Sequence, residues 1–208
     1  MSKSIDNDNK DNKDNKDNNL KIVLVGEAAT GKTSLINTYL GLSFNKDLES
    51  TLTPSVSQKL ITIKNIKYIV NIWDTVGQEQ YRSITKIFIK GSQIVIFVYD
   101  VTNQNSFDNL DYWVKSVEEY LGKEPIYGVI GNKTDLFEQQ VVEREKGEKY
   151  AQDLDALFLE TSAKVDAKGI KRFINELIEE FLVKNGISKI GGERLSSINP
   201  KKKQKCSC

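Results

Sequence analysis

Residues 26–33 combine two glycines, a lysine and a threonine at the spacing of a phosphate-binding loop. They read Gly26, Glu27, Ala28, Ala29, Thr30, Gly31, Lys32 and Thr33, the pattern G-x-x-x-x-G-K-T. The glycines allow the backbone to curl, so that several N–H groups point at one anion. Lys32 has the length to reach the β- and γ-phosphates, and the Thr33 hydroxyl is suited to ligating Mg²⁺. These residues predict a binding site for a nucleoside triphosphate.

The elements on either side of this loop are those that a phosphate-binding loop requires. An apolar run at 20–25 precedes the loop and is typical of a buried strand. Apolar residues at helical spacing follow it from Ser34 to Leu40. A strand, a glycine loop and a helix give the anion both the loop N–H groups and the positive end of the helix dipole. The alternative is a simple glycine turn between a strand and a helix.

A second group of candidate residues follows a predicted strand at 66–74. Asp74, at the end of that strand, is the carboxylate expected as a second Mg²⁺ anchor. Gly77 lets the backbone approach a γ-phosphate closely, and the Gln78 amide is the type of group that orients an attacking water. We therefore expect Lys32, Gly77 and Gln78 to serve hydrolysis.

A third group follows two later predicted strands and points to guanine. It comprises Asn132, Lys133 and Asp135 after the strand at 126–130, and Ser162, Ala163 and Lys164 after the strand at 157–159. An aspartate carboxylate accepts two hydrogen bonds from guanine, whereas adenine offers no such donor pair. A backbone N–H near Ala163 is expected to meet the guanine carbonyl, with the stems of both lysines along the base.

The order of strands and helices predicts an α/β fold with a P-loop. Strands are expected at 20–25, 57–64, 66–74, 94–99, 126–130 and 157–159, and helices follow the patterns at 34–40, 107–121, 143–154 and 170–182. Alternation of this kind gives a mostly parallel six-stranded sheet with helices on both faces. The short linker at Asn65 makes one edge strand antiparallel. Ligands of such sheets bind beyond the carboxyl ends of the strands.

Composition divides the 208-residue chain into a core and two tails. Residues 1–19 are a low-complexity extension rich in Asp, Asn and Lys, which we expect to be disordered. Residues 20–183 form the predicted domain. Residues 184–208 carry six Lys and one Arg against one Glu, a net charge of +6 on a flexible tail. The domain itself is acidic, which argues against a nucleic-acid partner.

Cysteine and histidine usage sets further limits on the chemistry. The two cysteines, Cys206 and Cys208, lie in the last three positions, so no disulfide is expected within the core. The chain has no histidine, which excludes histidine-based acid–base catalysis. No apolar run has the length of a membrane-spanning helix, and no signal peptide is indicated.

The motifs together resemble the Ras superfamily of small GTPases, and its Rab branch in particular. They are WDTVGQE at 73–79, YDVT at 99–102, GNKTD at 131–135 and ETSAK at 160–164. The resemblance covers about residues 20–183. It implies a slow GTP hydrolase that switches between GTP and GDP with Mg²⁺, recruits effectors and serves vesicle trafficking. The alternatives are a GTP-bound interaction module that hydrolyses slowly, or another P-loop ATPase or nucleotide kinase.

The resemblance also implies a third Mg²⁺ ligand, in addition to Thr33 and Asp74, from the segment before the hairpin. Two threonines compete for this position, Thr51 and Thr53. Thr51 lies 23 residues before Asp74, which is the family's spacing, and it leaves Phe44 where the family has an aromatic covering guanine. We therefore expect Thr51 to be the ligand.

Three residues depart from the family's pattern. Ala28 stands where many relatives have glycine or serine, and Val76 replaces an alanine. Val56 replaces one phenylalanine of the aromatic triad that effectors contact, while Trp73 and Phe88 keep the other two positions. These departures concern the hydrolysis rate and the choice of partners more than the nucleotide.

The chain end Cys206-Ser207-Cys208 resembles the double geranylgeranylation signal of Rab proteins. It is not a C-a-a-X box, because the fourth residue from the end is Lys205. The resemblance implies a monomer held on the cytoplasmic face of an endomembrane by two lipids and cycling with the cytosol. Its expected partners are an exchange factor, a GTPase-activating protein, a GDP-dissociation inhibitor, an escort protein and effectors. Phe44-Asn45 and Gly26-Glu27 hint at the endosomal subgroup.

Overall fold

Apolar runs in the sequence form the strands of a six-stranded sheet. A computed structural model of the protein describes residues 18–45, 51, 53–75, 88–121 and 125–186. The strands in chain order are β1 (Asn19–Val25), β2 (Ser55–Ile63), β3 (Ile66–Asp74), β4 (Ile94–Asp100), β5 (Ile126–Asn132) and β6 (Leu157–Glu160). Their order across the sheet is β2-β3-β1-β4-β5-β6. Only the β2–β3 pair of this sheet is antiparallel, which confirms the predicted topology with one antiparallel edge strand.

The helices lie where the apolar spacing predicts them, with one division. They are α1 (Lys32–Leu40), α2 (Gln104–Asp108), α3 (Leu110–Tyr120), α4 (Arg144–Asp153) and α5 (Ala167–Lys184). The predicted helix at 107–121 is two helices that meet at Asn109. Asn103 starts α2 by accepting a hydrogen bond from the Ser106 N–H, a standard way to begin a helix. None of the helices in the described ranges is long and apolar enough to cross a membrane.

Alternate residues of the central strands belong to two separate apolar layers, one on each face of the sheet. On one face, Ile22 and Ile96 pack with residues of α1 and α5. On the other, Val23 and Phe97 pack with residues of α2, α3 and α4. Since side chains alternate across a strand, a run that is apolar throughout must be covered on both faces. The expected helices on both faces of the sheet are therefore confirmed.

Parallel pairing brings the functional segments to one edge of the sheet. In the register of the sheet, Leu24 of β1 lies beside Asp74 of β3. Asp100 of β4 lies beside Asn132 of β5, whose neighbour Gly131 pairs with Glu160 of β6. The loops that follow these strands all leave from the same edge. The candidate residues thus converge because of strand direction.

Candidate nucleotide site

The loop at 26–31 surrounds the side-chain nitrogen of Lys32. The Lys32 Nζ donates to the carbonyl oxygens of Gly26, at 2.9 Å, and Glu27, at 2.8 Å. Gly31 has a φ of 92°, and a Cβ at that position would overlap the side-chain nitrogen of Asn132. Only glycine satisfies both the backbone angle and the close approach. Within the loop, the Thr30 hydroxyl donates to the Glu27 carbonyl at 3.0 Å.

Lys32 is buried and would be stabilised by a bound anion. Only 5% of the residue is exposed. Burial lowers its pKa to about 8, although the charges of Asp74 and Glu27 oppose the shift. An ammonium group held in this environment gains strongly from an anionic partner such as a phosphate. The remaining loop residues leave room for one, since Ala28 and Ala29 are exposed and Ser34 is half-buried.

Three oxygen groups from three different segments meet next to Lys32. The Thr33 hydroxyl donates to Asp74 Oδ2 at 2.6 Å. The same hydroxyl lies 2.8 Å from the Thr51 hydroxyl, which donates to it because the Thr33 proton is engaged with Asp74. Thr53 is exposed and makes no such contact among the described residues. Thr33, Thr51 and Asp74, the residues expected to bind Mg²⁺, therefore lie together.

The donor set of this cluster fits a magnesium ion. Asp74 is 4% exposed, and its Oδ1 is a buried oxygen without a hydrogen-bond partner in the described part of the protein. Burial raises the pKa of Asp74, while the hydrogen bond from Thr33 and the charge of Lys32 lower it. A carboxylate with hydroxyl oxygens is the hard donor set that Mg²⁺ takes when phosphates complete its shell. Elsewhere in the described ranges, no cluster of three or more His, Cys, Asp or Glu is found.

Asn132 connects the phosphate loop to the segment after β6. Its side-chain nitrogen donates to the Thr30 carbonyl at 2.8 Å, and its Oδ1 accepts from the Ala163 N–H at 3.0 Å. The residue is 2% exposed. Thr38 of α1 strengthens the same junction, because its hydroxyl donates to the Ala163 carbonyl at 2.7 Å. The role of Asn132 in this structure is therefore to hold two loops together.

The backbone N–H groups of Ala163 and Lys164 donate to side chains in the structure, and their predicted contact with guanine stays a prediction. The sequence predicts that an N–H near Ala163 meets the guanine carbonyl. In the structure, the Ala163 N–H donates to Asn132, and the Lys164 N–H donates to the Ser162 hydroxyl at 3.1 Å. Sequence spacing alone does not reveal these side-chain acceptors.

Asp135 lies between two groups of the loop that follows β6. The Ser162 hydroxyl donates to Asp135 Oδ1 at 2.6 Å. The Lys164 Nζ lies 3.7 Å from Oδ2, with more than half of the Lys164 side chain exposed. The Asp135 carboxylate is thus oriented by Ser162, while its second oxygen faces the ammonium group of the exposed Lys164 side chain. This arrangement leaves Asp135 able to accept hydrogen bonds from a base.

Lys133 and Phe44 complete the set of candidate base contacts. The Lys133 Nζ pairs with Asp100 Oδ2 at 2.6 Å, and its backbone has a left-handed φ of 73°. Phe44 follows α1, and 41% of it is exposed. A large aromatic residue exposed to this extent is available to cover a ligand.

Two predicted catalytic residues and the predicted lipid sites lie outside the described residues. They are Gly77, Gln78, Cys206 and Cys208. Val76, one of the departures, lies outside them as well. The expected roles of these residues stay predictions.

Three residues that support the site were not predicted from the sequence. Asp100 binds Lys133, and Thr38 binds the Ala163 carbonyl. Trp113 of α3 donates its Nε1–H to the Glu27 carboxylate at 3.2 Å. Asp100 belongs to the YDVT motif, so the motif was a signal for its importance. Thr38 and Trp113 lie within α1 and α3, where each fits the pattern of apolar and polar residues of its helix. Nothing in the sequence therefore marks them as contacts of the site.

The aromatic pair expected on the outer surface is present. The rings of Trp73 and Phe88 have centroids 5.4 Å apart. Val56 pairs with Trp73 in the register of β2 and β3 and is 43% exposed. The position of the replaced aromatic residue is therefore beside Trp73 and open to a partner.

Comparison with known proteins identifies the family. Residues 21–183 match the sequence profile of the Ras family. The chain is 37% identical over 164 residues to the Ras-related protein Rab-10 of Caenorhabditis elegans, which covers 79% of this chain and 81% of that protein. It is 37% identical over 147 residues to the Ras-related protein Rab-8B of Homo sapiens, a match that covers 71% of each protein. It is 36% identical over 154 residues to the Ras-related protein Rab-8 of Diplobatis ommata, a match that covers 74% of this chain and 73% of that protein. The chain therefore belongs to the Rab family of Ras-related small GTPases, which bind and hydrolyse GTP.

Proposed function

We propose that the protein is a membrane-attached GTP/GDP switch whose phosphate and Mg²⁺ site is built from Lys32, Thr33, Thr51 and Asp74. The observation that carries this proposal is that the Thr33 hydroxyl lies 2.8 Å from the Thr51 hydroxyl and 2.6 Å from Asp74 Oδ2. Mg²⁺, when bound, neutralises charge on the β- and γ-phosphates. The buried Lys32 ammonium supplies a second positive charge there.

Thr51 connects this site to the rest of the proposed switch. It belongs to the segment between α1 and β2, and its described contact to Thr33 is the link from that segment to the phosphate loop. A γ-phosphate that engages Thr51 would keep this segment in one arrangement, and loss of that phosphate would release it. The segment between α1 and β2 would therefore have one conformation with GTP bound and another with GDP bound.

Guanine is proposed to lie between the 132–135 and 162–164 loops. Asp135 accepts from the base, with its orientation supported by the 2.6 Å hydrogen bond from Ser162. The stems of Lys133 and Lys164 line the base, and Phe44 covers it from the opposite side. The two loops follow β5 and β6, which are parallel neighbours and end at the same edge of the sheet.

Hydrolysis in this proposal depends on positioning more than on covalent chemistry. Gln78 holds a water molecule in line with the γ-phosphate, and Gly77 allows the backbone to approach the phosphate. The arginine that accelerates such reactions about 10³–10⁵-fold is supplied by an activating protein. The protein alone is therefore a slow enzyme.

Membrane attachment is proposed to use geranylgeranyl groups on Cys206 and Cys208. One lipid chain gives marginal binding and two give stable anchoring, so both cysteines are needed. The lysines at 201–205 add about 1 kcal/mol each near anionic lipids. An escort protein presents the chain for lipidation, and a GDP-dissociation inhibitor shields the lipids while the protein is in the cytosol. We propose an endosomal membrane as the compartment.

Effectors are proposed to bind the surface around Trp73, Phe88 and Val56 in the GTP state. The test is affinity capture from lysate of the protein's own cells, with GTP-loaded Gln78→Leu protein compared with GDP-loaded wild type. We expect the GTP-loaded protein to retain proteins that the GDP-loaded one does not. The Thr51→Ala variant loaded with GTP is the matched control, and it should retain few of them. Identical sets of retained proteins on GTP and GDP would refute the switch.

A further inference from the structure

The ion pair between Asp100 and Lys133 joins the end of β4 to the segment that follows β5. The Lys133 Nζ lies 2.6 Å from Asp100 Oδ2, and the exposed fractions of the two side chains are 31% and 9%. Asp100 is opposite Asn132 in the register of the sheet, and the Val101 N–H donates to the Asn132 carbonyl at 3.0 Å. The pair therefore lies where β4 and β5 end, at the start of the 132–135 loop that is proposed to bind guanine.

Thr102 holds one oxygen of the Asp100 carboxylate, and Ser106 holds the Asp100 backbone. Its Oδ1 accepts from the Thr102 N–H at 2.9 Å and from the Thr102 hydroxyl at 2.7 Å. Its backbone N–H donates to the Ser106 hydroxyl at 2.9 Å. The second oxygen, Oδ2, is left for Lys133. A carboxylate fixed in this way offers the lysine one position rather than many.

Lys133 has a backbone that needs such a constraint. Its φ of 73° is uncommon for a residue with a side chain, and it projects the stem away from the direction that a strand would give. A free lysine side chain has many rotamers, and ordering it costs free energy each time a ligand binds. With Nζ fixed at Asp100, the methylene stem is held along one path before any ligand arrives.

We propose that Asp100 is a positioning residue for the nucleotide: it fixes the Lys133 side chain where its stem lines guanine, and so sets how long the nucleotide stays bound. This inference rests on the proposed placement of the base against Lys133. An ion pair between two exposed side chains contributes little. This pair differs because Asp100 is buried and its other oxygen is satisfied. Because the protein's own contacts hold Asp100, the pair can order the Lys133 stem before binding, which is the condition for preorganisation.

The test is a double-mutant cycle on the dissociation rate of a fluorescent GDP analogue in saturating Mg²⁺. Asp100→Asn keeps the shape and the Thr102 contacts but loses the charge, and Lys133→Met keeps the stem but loses the ammonium group. We expect Asp100→Asn to dissociate GDP about tenfold faster, with the association rate little changed. The double variant should dissociate GDP at the rate of Lys133→Met alone. Asp111→Asn is the control, because Asp111 accepts from Tyr150 at 2.8 Å, outside the proposed site, and its rate should equal that of wild type.

Rates that multiply in the double variant would overturn the proposal, because Asp100 would then act on the fold and not through Lys133. An Asp100→Asn rate within about twofold of wild type would overturn it as well, provided that Lys133→Met is fast. If Lys133→Met itself leaves the rate unchanged, the placement of the base fails first, and the inference falls with it. If Asp100→Asn does not fold, Thr102→Val takes its place. It removes one hydrogen bond to Oδ1 and should raise the rate about threefold, but only while Lys133 is present.

Discussion

The hydroxyl oxygens of Thr33 and Thr51 lie 2.8 Å apart, although 18 residues separate the two in the chain. Thr33 begins α1 and donates to Asp74 at the end of β3, so this contact brings the segment before β2 to the phosphate site. Thr53, only two residues further on, is exposed. Thr51, the threonine that the family's spacing favours, is therefore the one in contact with Thr33 in the structure.

Thr51→Ala should raise the Mg²⁺ concentration that GTP retention requires. Loss of one oxygen ligand or of its contact to Thr33 should raise the Mg²⁺ concentration needed for half-maximal retention by at least about tenfold. The measurement is the GTP dissociation rate over a Mg²⁺ titration. Thr53→Ala is the matched control and should behave as wild type. If Thr53→Ala shifts the titration and Thr51→Ala does not, Thr53 is the ligand.

At Asn65, in the turn between β2 and β3, glycine should stabilise the protein and alanine should destabilise it. Lys64 and Asn65 have φ values of 49° and 65°, the left-handed pair that a two-residue hairpin turn requires. Asn65→Gly should increase the free energy of unfolding by about 0.5 kcal/mol, and Asn65→Ala should lower it by about 1 kcal/mol. Urea unfolding of the GDP-bound protein measures both. The GDP dissociation rate serves as the control and should not change. Equal stability of the two variants would contradict the left-handed conformation of Asn65 in the turn.

Ala28 and Val76 should slow hydrolysis. The Ala28 methyl is on an exposed part of the phosphate loop, where Gln78 and an activating arginine would approach the γ-phosphate. Small misplacements of a reacting group cost up to about 10²-fold in rate. Single-turnover hydrolysis should therefore be faster in Ala28→Gly, in Val76→Ala and most of all in the double variant, with and without an activating protein. No acceleration in any of the three would mean that both departures are neutral.

The two terminal cysteines should act together in membrane attachment. Changing both Cys206 and Cys208 to serine should move the protein from the membrane pellet to the soluble fraction of its own cells. Each single variant should be distributed between the two fractions, because one lipid gives only marginal, reversible binding. Intact-mass analysis of the wild type should show two added lipids. An unmodified mass for protein taken from the membrane would refute the lipid sites.

The spacing of apolar residues predicted most of the strands and helices. It did not predict where a helix is interrupted or where a short polar helix begins. The stripe from Phe107 to Leu121 predicts one helix, but the chain divides it at Asn109 and begins α2 earlier, at Gln104. Residues 104–106 are polar and carry no periodic signal, since α2 starts through the capping contact of Asn103. The 3₁₀ helix at Thr134–Gln139 was missed for the same reason: it has no buried residue to mark it.

The candidate site was predictable where strand ends determine it. Thr33 in the first turn of α1 meets Asp74 at the end of β3, and Asp135 meets Ser162 in the loops after β5 and β6. What the sequence did not predict are the contacts between side chains of distant segments. The bonds of Asn132 to Thr30 and Ala163 depend on distances between loops, and spacing along the chain does not contain those distances.

The choice of base tests the central claim most directly. Asp135 is oriented by Ser162 and should accept two hydrogen bonds from guanine, so Asp135→Asn should bind GTP more weakly, by 10-fold or more (about 1.4 kcal/mol), and xanthosine triphosphate more tightly. Asp153→Asn is the matched control, because Asp153 is an exposed carboxylate at the end of α4 and is not one of the candidate site residues. The measurement is equilibrium binding of GTP, xanthosine triphosphate and ATP to the wild type and both variants. The proposed site predicts GTP alone for the wild type and the control, and a switch to xanthosine triphosphate for Asp135→Asn. Tight ATP binding by the wild type, or an unchanged preference in Asp135→Asn, would contradict it.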